Sequence, residues 1–342
     1  MLVSLLTLGS PDQLTGGYLY HRRVADLAAA HGARVQFVPV RRRTNPFVEA
    51  AGDVVVVDSI AAARACAWGR SRQPMAAIIH QPPGGIDGHR FRRFAQARID
   101  RRFYRRCDLL IAASENLRDD LVASPNNLPP ERVTVVPPGR DGGSTRTASV
   151  GSRRDGAPVV FLSVGNWMAR KGTLELLDAF ANVDDRSATL HLVGRDDVEP
   201  RYSKRVRARL RRSDLAGRVV CHGVVAPEKV ADHYAAADAF VLPSYREPYG
   251  TVYGEALAWG LPAVGWRAGN LPHLVADGVE GMLVEPGDVA GLTGALERLA
   301  ADDALRARLA AGASRRGDSL PTWSMTAERL FGLLAELTRR VP

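Results

Sequence analysis

Two glutamates, Glu247 and Glu255, lie eight positions apart in a segment that also contains two glycines and two tyrosines. The segment follows an apolar run and continues into a helical pattern, so we predict a strand-to-helix turn. A carboxylate in such a turn can accept hydrogen bonds from sugar hydroxyls and stabilise positive charge at a sugar carbon. A second carboxylate about one turn into the helix can accept two hydrogen bonds from a ribose diol.

The start of the predicted helix adds a second feature. Gly250, Thr251 and Val252 open it, so their main-chain N–H groups and the helix dipole are available to a diphosphate. Two solvated carboxylates that merely flank a helix are the alternative explanation of the same spacing.

The composition is that of an ordinary globular protein of two domains, with 342 residues, 46% hydrophobic and 24% charged. The formal net charge is +9, and all but three of the 46 basic residues are arginine. A coding bias explains part of this excess, while the positive charge attracts phosphorylated ligands, anionic membranes and nucleic acids alike.

Three cysteines without a C-x-x-C spacing indicate buried free thiols in a reducing compartment. The first residues lack a basic leader with a cleavage site, and no apolar run has the length of a membrane span. We therefore expect a cytoplasmic protein, peripheral at the inner membrane face if it contacts a membrane at all.

Short apolar runs alternate with helical patterns in both halves of the chain, which predicts two doubly wound, Rossmann-like α/β domains. Residues 141–157 are rich in Gly, Ser and Arg and have no apolar period, so we expect a linker. The predicted domains are residues 1–140 and 158–320, and residues 321–342 form a helix that packs back toward the first domain. Two such domains facing each other across a cleft bring their strand-to-helix loops together.

The segment from Arg90 to Arg106 is basic and amphipathic. It carries eight arginines against one acid, Asp100, with phenylalanines between them. A solvated helix face is one explanation, and contact with an anionic membrane is the other.

The residues after Glu255 continue in an ordered series: Gly260-Leu261-Pro262, Ala268-Gly269-Asn270, and Pro286-Gly287-Asp288. With the glutamate pair, this series resembles the retaining glycosyltransferases of family 4, which have the GT-B fold. The resemblance implies transfer of a sugar, with retention of configuration, from a nucleoside diphosphate sugar to a hydroxyl acceptor. It implies no metal and no cofactor, and the chain has no D-x-D pair. The acceptor stays open between a lipid, a glycan and a secondary metabolite such as an antibiotic.

The resemblance also assigns roles to residues. Glu247 would face the transferred sugar, Glu255 would hold the ribose, and Lys171 would bind the phosphates. Many relatives have arginine where this chain has Asn166, and Arg170 is a candidate to replace that cation. Other departures are Asn270 and His273, which stand where a glycine and a glutamate are common.

The first half of the chain contains three further candidate site residues, Gly16, Gly17 and His80. The glycine pair follows the first strand, where a tight turn explains it equally well, and the resemblance places it beside the donor phosphates. A lone histidine after an apolar run is commonly structural, whereas the resemblance makes His80 a contact of the sugar and acceptor. We do not expect it to be a general base.

Other classes remain as alternatives. A nucleotide-sugar epimerase or a dehydrogenase shares the fold type, but a dehydrogenase needs a G-x-G-x-x-G turn that neither half contains. A basic nucleic-acid-binding protein would bind with strong salt dependence. Because neither the segment Arg90–Arg106 nor a second basic segment, Arg201–Arg212, suffices for nucleic acid binding, we predict no such partner.

Overall fold

The computed structural model describes residues 1–8, 16–87, 89–140, 157–183 and 188–340. The chain divides into two compact units. The first unit comprises Met1–Gly139 with Pro321–Pro342, and the second comprises Arg140–Leu320. Most of the predicted linker, residues 141–156, and the turn at residues 9–15 lie outside the described residues.

Each unit is built on a six-stranded parallel sheet. The strands are β1 (Leu2–Thr7), β2 (Arg34–Pro39), β3 (Val54–Asp58), β4 (Met75–Ile79), β5 (Leu109–Ala112), β6 (Val133–Val135), β7 (Val159–Val164), β8 (Ala188–Val193), β9 (Val219–Gly223), β10 (Ala239–Val241), β11 (Ala263–Trp266) and β12 (Gly281–Val284).

Helices connect and cover the strands. They are α1 (Gly16–Leu27), α2 (Pro46–Glu49), α3 (Ser59–Ala65), α4 (Arg90–Tyr104), α5 (Glu115–Val122), α6 (Thr173–Ala181), α7 (Pro200–Leu210), α8 (Pro227–Ala236), α9 (Thr251–Ala258), α10 (Leu271–Leu274), α11 (Val289–Ala301), α12 (Asp303–Ser319) and α13 (Trp323–Arg340). None of the helices described here is long and apolar enough to cross a bilayer.

The strand order fixes where ligands can bind. In the first unit the order is β2-β1-β3-β4-β5-β6, so the direction of winding changes between β1 and β3. In the second unit it is β12-β11-β10-β7-β8-β9, with the change between β10 and β7. Ligands of open parallel sheets bind outside the carboxyl ends of the strands at such a switch point.

The strands are apolar because both faces of each sheet are covered. All five residues of β3 are buried, and the central strands of the second sheet contribute Phe161, Val241 and Val264 to one continuous core. Helix α13 completes the first unit, where Trp323, Leu330 and other apolar residues of this helix join the core that contains Tyr20.

The predicted two α/β domains are confirmed, and the differences are local. The helix that follows the first strand, α1, ends in a 3₁₀ turn at Ala28–His31. All three cysteines are free, but only Cys107 is buried, and the predicted burial is wrong for Cys221, which is exposed on the edge strand β9.

Candidate active site

The turn between β10 and α9 is shaped by a glycine. Gly250 is the N-cap of α9 with a φ of 81°, a left-handed conformation that costs glycine little. A Cβ atom at this position would lie 2.7 Å from Cδ2 of Tyr253, so the site has no room for a side chain. The amides of Thr251 and Val252 fall in the first helical turn, where a helix supplies no acceptor of its own.

Glu247 is the centre of a charged cluster in this turn. Its side chain is largely buried, and Oε1 contacts the Lys171 ammonium. The same oxygen lies 3.2 Å from Nη1 of Arg170 and accepts a hydrogen bond from the Ser244 hydroxyl at 3.1 Å. One carboxylate therefore pairs with two cations and leaves one positive charge of the cluster unbalanced. Arginine and lysine are the side chains best suited to bind phosphate oxygens.

Main-chain contacts hold the two loops of this cluster together. Lys171 ends a 3₁₀ turn, Ala169–Lys171, in the loop that follows β7. The carbonyl oxygen of Arg170 accepts a hydrogen bond from the Tyr245 amide at 2.8 Å. It also lies 3.0 Å from the Ser244 hydroxyl, whose single proton is shared between this oxygen and Glu247 Oε1. Because β7 and β10 are neighbours at the switch point of the second sheet, their loops form the expected ligand edge.

The loop between β11 and α10 supports the main chain at Glu247. The Asn270 amide donates to the Glu247 carbonyl at 2.9 Å, and Nδ2 of Asn270 donates to the Tyr249 carbonyl at 2.8 Å. A Cβ on Gly269 would lie 2.7 Å from the Glu247 carbonyl oxygen, so this glycine allows close backbone packing. The sequence marked Asn270 only as a departure from the family pattern, whereas the structure shows that it braces the turn.

Glu255 has a buried partner that the sequence did not indicate. The hydroxyl of Tyr234, on α8, donates to Oε2 of Glu255 at 2.8 Å. Burial and the neighbouring carboxylate raise the pKa of Tyr234 well above its ordinary value, so the phenol keeps its proton and remains a donor. This bond fixes the direction of the Glu255 carboxylate.

Asn166 lies in the loop after β7 with its side chain exposed. Its Oδ1 accepts a hydrogen bond from the Arg195 amide at 3.1 Å, which ties this loop to the one after β8. The side-chain oxygen is thus used for loop structure, whereas the Arg170 guanidinium points toward Glu247.

In the first unit, three ionisable side chains meet at the carboxyl ends of β3 and β4. His21 Nε2 lies 3.0 Å from Asp58 Oδ2, and both side chains are fully buried. Burial alone would raise the pKa of Asp58, but the hydrogen bond and charge of His21 outweigh it and the pKa is lowered. Asp58 is therefore a carboxylate that caps α3 and holds His21.

His80 lies against this pair, with its ring centre 4.9 Å from that of His21. Burial and the charge of His21 lower the pKa of His80 to about 4, although Asp58 opposes this shift. Its Nε2 is buried and has no hydrogen-bond partner among the described residues. A Cβ on Gly17 would lie 3.2 Å from Cδ2 of His80, so this glycine leaves space over the neutral imidazole.

Comparisons with known proteins agree with this arrangement. Residues 3–142 match the model of Glycosyltransferase Family 4, and residues 158–302 match that of Glycosyl transferases group 1. The chain belongs to glycosyltransferase family 4. The two matches together include both sheets and the loops at the carboxyl ends of their strands.

Individual relatives support the family and the fold. A D-inositol 3-phosphate glycosyltransferase of Xylanimonas cellulosilytica is 33% identical over 246 residues, covering 69% of this chain and 58% of the relative. The chain spans only a little over half the length of the curated relatives it matches first.

Among solved structures, sucrose-phosphate synthase from Thermosynechococcus elongatus has a TM-score of 0.83 at 20% identity, covering 99% of both chains. Anabaena HepE in complex with UDP-glucose has a TM-score of 0.79 at 20% identity, covering 98% of this chain and 99% of HepE. These likenesses show the GT-B fold.

Proposed function

We propose that this family 4 protein transfers a sugar from a nucleoside diphosphate sugar to a hydroxyl acceptor, with retention of configuration. The observation that carries the proposal is the contact of Lys171 and Arg170 with the Glu247 carboxylate, beside the N-terminus of α9. Two cations, a helix start and a carboxylate at a switch point suit a diphosphate joined to a polyol.

The chemistry follows from these groups. Lys171, Arg170 and the amides of Thr251 and Val252 would bind the diphosphate and stabilise the charge that develops as it leaves. The anomeric carbon–oxygen bond to phosphate breaks, and the bond to the acceptor oxygen forms on the same face of the sugar. The acceptor proton passes to the leaving phosphate oxygen. Two protein cations supply the stabilisation, so we propose that the transfer requires no metal and no cofactor.

Glu247 would have two successive roles. Without donor, its carboxylate offsets part of the positive charge of Lys171 and Arg170, which lowers the cost of keeping two cations in a half-buried loop. With donor, the phosphates balance the charge of these cations instead, and Glu247 can then accept hydrogen bonds from the sugar.

The other proposed site residues have one role each. Glu255, held by Tyr234, would accept hydrogen bonds from the ribose hydroxyls. We also keep His80 as a neutral contact of sugar and acceptor, with Gly16 and Gly17 beside the phosphates.

We propose a uridine nucleotide as the donor, because the fold is shared with HepE, whose structure contains UDP-glucose. The test is calorimetric titration of the protein with UDP, GDP, ADP and dTDP, followed by incubation with the matching nucleotide sugars. Binding of one nucleotide that is weakened in Glu255→Ala supports the donor site. If no diphosphate binds, or if the donor sugar is epimerised without transfer, the proposal is wrong.

For the acceptor, we propose a phosphorylated polyol or sugar. The relatives reported above are named for D-inositol 3-phosphate and for sucrose phosphate. Three consecutive exposed arginines, Arg41, Arg42 and Arg43, follow β2 at the carboxyl edge of the first sheet and suit an acceptor phosphate. The relatives do not support the antibiotic acceptor considered from the sequence. Competition between inositol phosphate, fructose phosphate and their unphosphorylated forms tests the choice.

We further propose that α4 contacts an anionic membrane surface. Phe91 and Phe94 on this helix are 81% and 63% exposed, and Arg98 lies over the Phe94 ring. Phe103 and Tyr104 at the other end are buried in the core. The exposed part of α4 therefore combines apolar rings with arginines, as interfacial helices do.

A further inference from the structure

Three histidines from three elements meet on one face of the second sheet, and nothing in the proposed transfer uses them. His191 is on β8, His222 on β9 and His233 on α8. Each is partly buried, and their ring nitrogens include a set that all lie within 4.8 Å of one another. The sequence separates them by 31 and 11 positions, so only the fold brings them together.

The strand register explains the meeting of the first two. His191 is paired with Val220 on the neighbouring parallel strand, and side chains two positions apart on a strand share a face. Val220 therefore points to the same side as His191, and His222 is the extra residue of β9 at a register shift, because Leu192 pairs with Cys221 and Val193 with Gly223. The contact between the His191 and His222 rings places His222 on this side as well. His233 reaches this side from α8, with its ring centre 4.2 Å from that of His222.

The distances suit a metal ion. His222 Nε2 lies 3.2 Å from His191 Nδ1. In a tetrahedral zinc site with Zn–N bonds of about 2.0–2.1 Å, two ligand nitrogens are about 3.3 Å apart. The first pair therefore has the spacing of two zinc ligands, and His233 offers a ring nitrogen within 4.8 Å of a ring nitrogen on each of the other two histidines.

We propose that His191, His222 and His233 form a binding site for a divalent transition-metal ion, with zinc as the preferred occupant. Imidazole ligands suit zinc, copper and nickel, whereas magnesium and calcium require oxygen ligands. Three protein ligands leave one tetrahedral position to water. The ion would join the edge strand β9 to β8 and α8, so it stabilises the edge of the sheet.

The test is calorimetric titration of zinc into tag-free, chelator-treated protein, together with the thermal unfolding temperature. We expect one ion per chain and an unfolding temperature that rises with zinc concentration, because the ion binds only the folded state. Magnesium should produce neither effect. Cobalt should give the visible absorption of a tetrahedral nitrogen site.

Single substitutions locate the site. His222→Ala and His233→Ala should each weaken zinc binding at least tenfold, and the exposed His273→Ala is the matched control that should leave it unchanged. Circular dichroism checks that each variant is folded, and a variant that is not folded is replaced by the glutamine substitution at the same position. The proposal is overturned if zinc does not bind, or if binding survives both substitutions and is lost instead in His80→Ala. None of these outcomes depends on transferase activity.

Discussion

The Tyr234 hydroxyl on α8 donates a hydrogen bond to Glu255 on α9, and the phenol that makes it is only 2% exposed. The ribose-binding carboxylate that we propose is thus oriented by a helix that contributes no proposed contact with the nucleotide. We therefore expect affinity for the nucleotide to depend on the packing of α8 as well as on the residues of the turn.

Replacement of Tyr234 by phenylalanine removes this hydrogen bond and keeps the ring. Hydrogen bonds to charged groups contribute about 1.5–3 kcal/mol, so we expect UDP to bind about tenfold more weakly or worse. Calorimetric titration measures the effect. Tyr104→Phe, a buried tyrosine of the first unit, should leave the affinity unchanged, and equal losses in both variants would contradict a specific role for Tyr234.

Glu247→Gln separates binding from turnover. The substitution removes the negative charge between Lys171 and Arg170, so we expect UDP to bind as tightly as before or more tightly. Sugar transfer should fall by about a hundredfold or more, the size of effect seen when a preorganised electrostatic contact is lost. Lys171→Ala should do the opposite to UDP affinity and weaken it. A large loss of UDP binding in Glu247→Gln would argue against the proposed exchange of partners.

Gly250 and Gly278 form a matched pair for testing the turn. Both have a positive φ, but a Cβ would meet Tyr253 only at Gly250, since nothing lies within 4 Å at Gly278. We expect Gly278→Ala to cost about 1–2 kcal/mol from backbone conformation alone. Gly250→Ala should cost more and should weaken UDP binding at least tenfold. Denaturant unfolding and calorimetry measure the two effects, and equal behaviour of the two variants would contradict the crowded turn.

His80 should make stability depend on pH. Its pKa of about 4 in the folded protein lies below the value of about 6.5 in an unfolded chain. Between these values the unfolded state binds more protons, so the free energy of unfolding falls as pH is lowered from about 6.5 to 4.

Urea unfolding of the first unit at several pH values tests this. His80→Asn should flatten the pH dependence in that range, whereas removal of the exposed His89 by the same substitution should keep it. An unchanged slope in His80→Asn would show that other groups cause the loss.

Membrane contact through α4 is open to a direct measurement. Phe91→Ser with Phe94→Ser removes the two exposed rings, so we expect less sedimentation with vesicles that contain anionic lipid. Val224 is 72% exposed in the second unit, and Val224→Ser should change nothing. Equal sedimentation of wild type and the double variant, or binding to neutral vesicles alone, would contradict the proposal.

The sequence was sufficient for the sheets, because strands covered on both faces are nearly continuous apolar runs. It was also sufficient for the turn at Glu247 and Gly250, where residue types and order are local. It did not indicate Tyr234, Asn270 or the His21–Asp58 pair, since these partners are separated by 21 or more positions from the groups they hold. The short helices α2, α3 and α10 cannot be predicted from the apolar pattern, because their four to seven residues give little periodicity.

The loop after β7 is fastened to its neighbour through the carbonyl oxygen of Arg170, an atom that every amino acid possesses. The guanidinium of the same residue points into the charged cluster. The main chain of Arg170 thus holds the loop, whereas its side chain contributes the positive charge. A substitution at position 170 would therefore change the charge of the cluster while the main-chain contact that holds the loop of Lys171 stays in place.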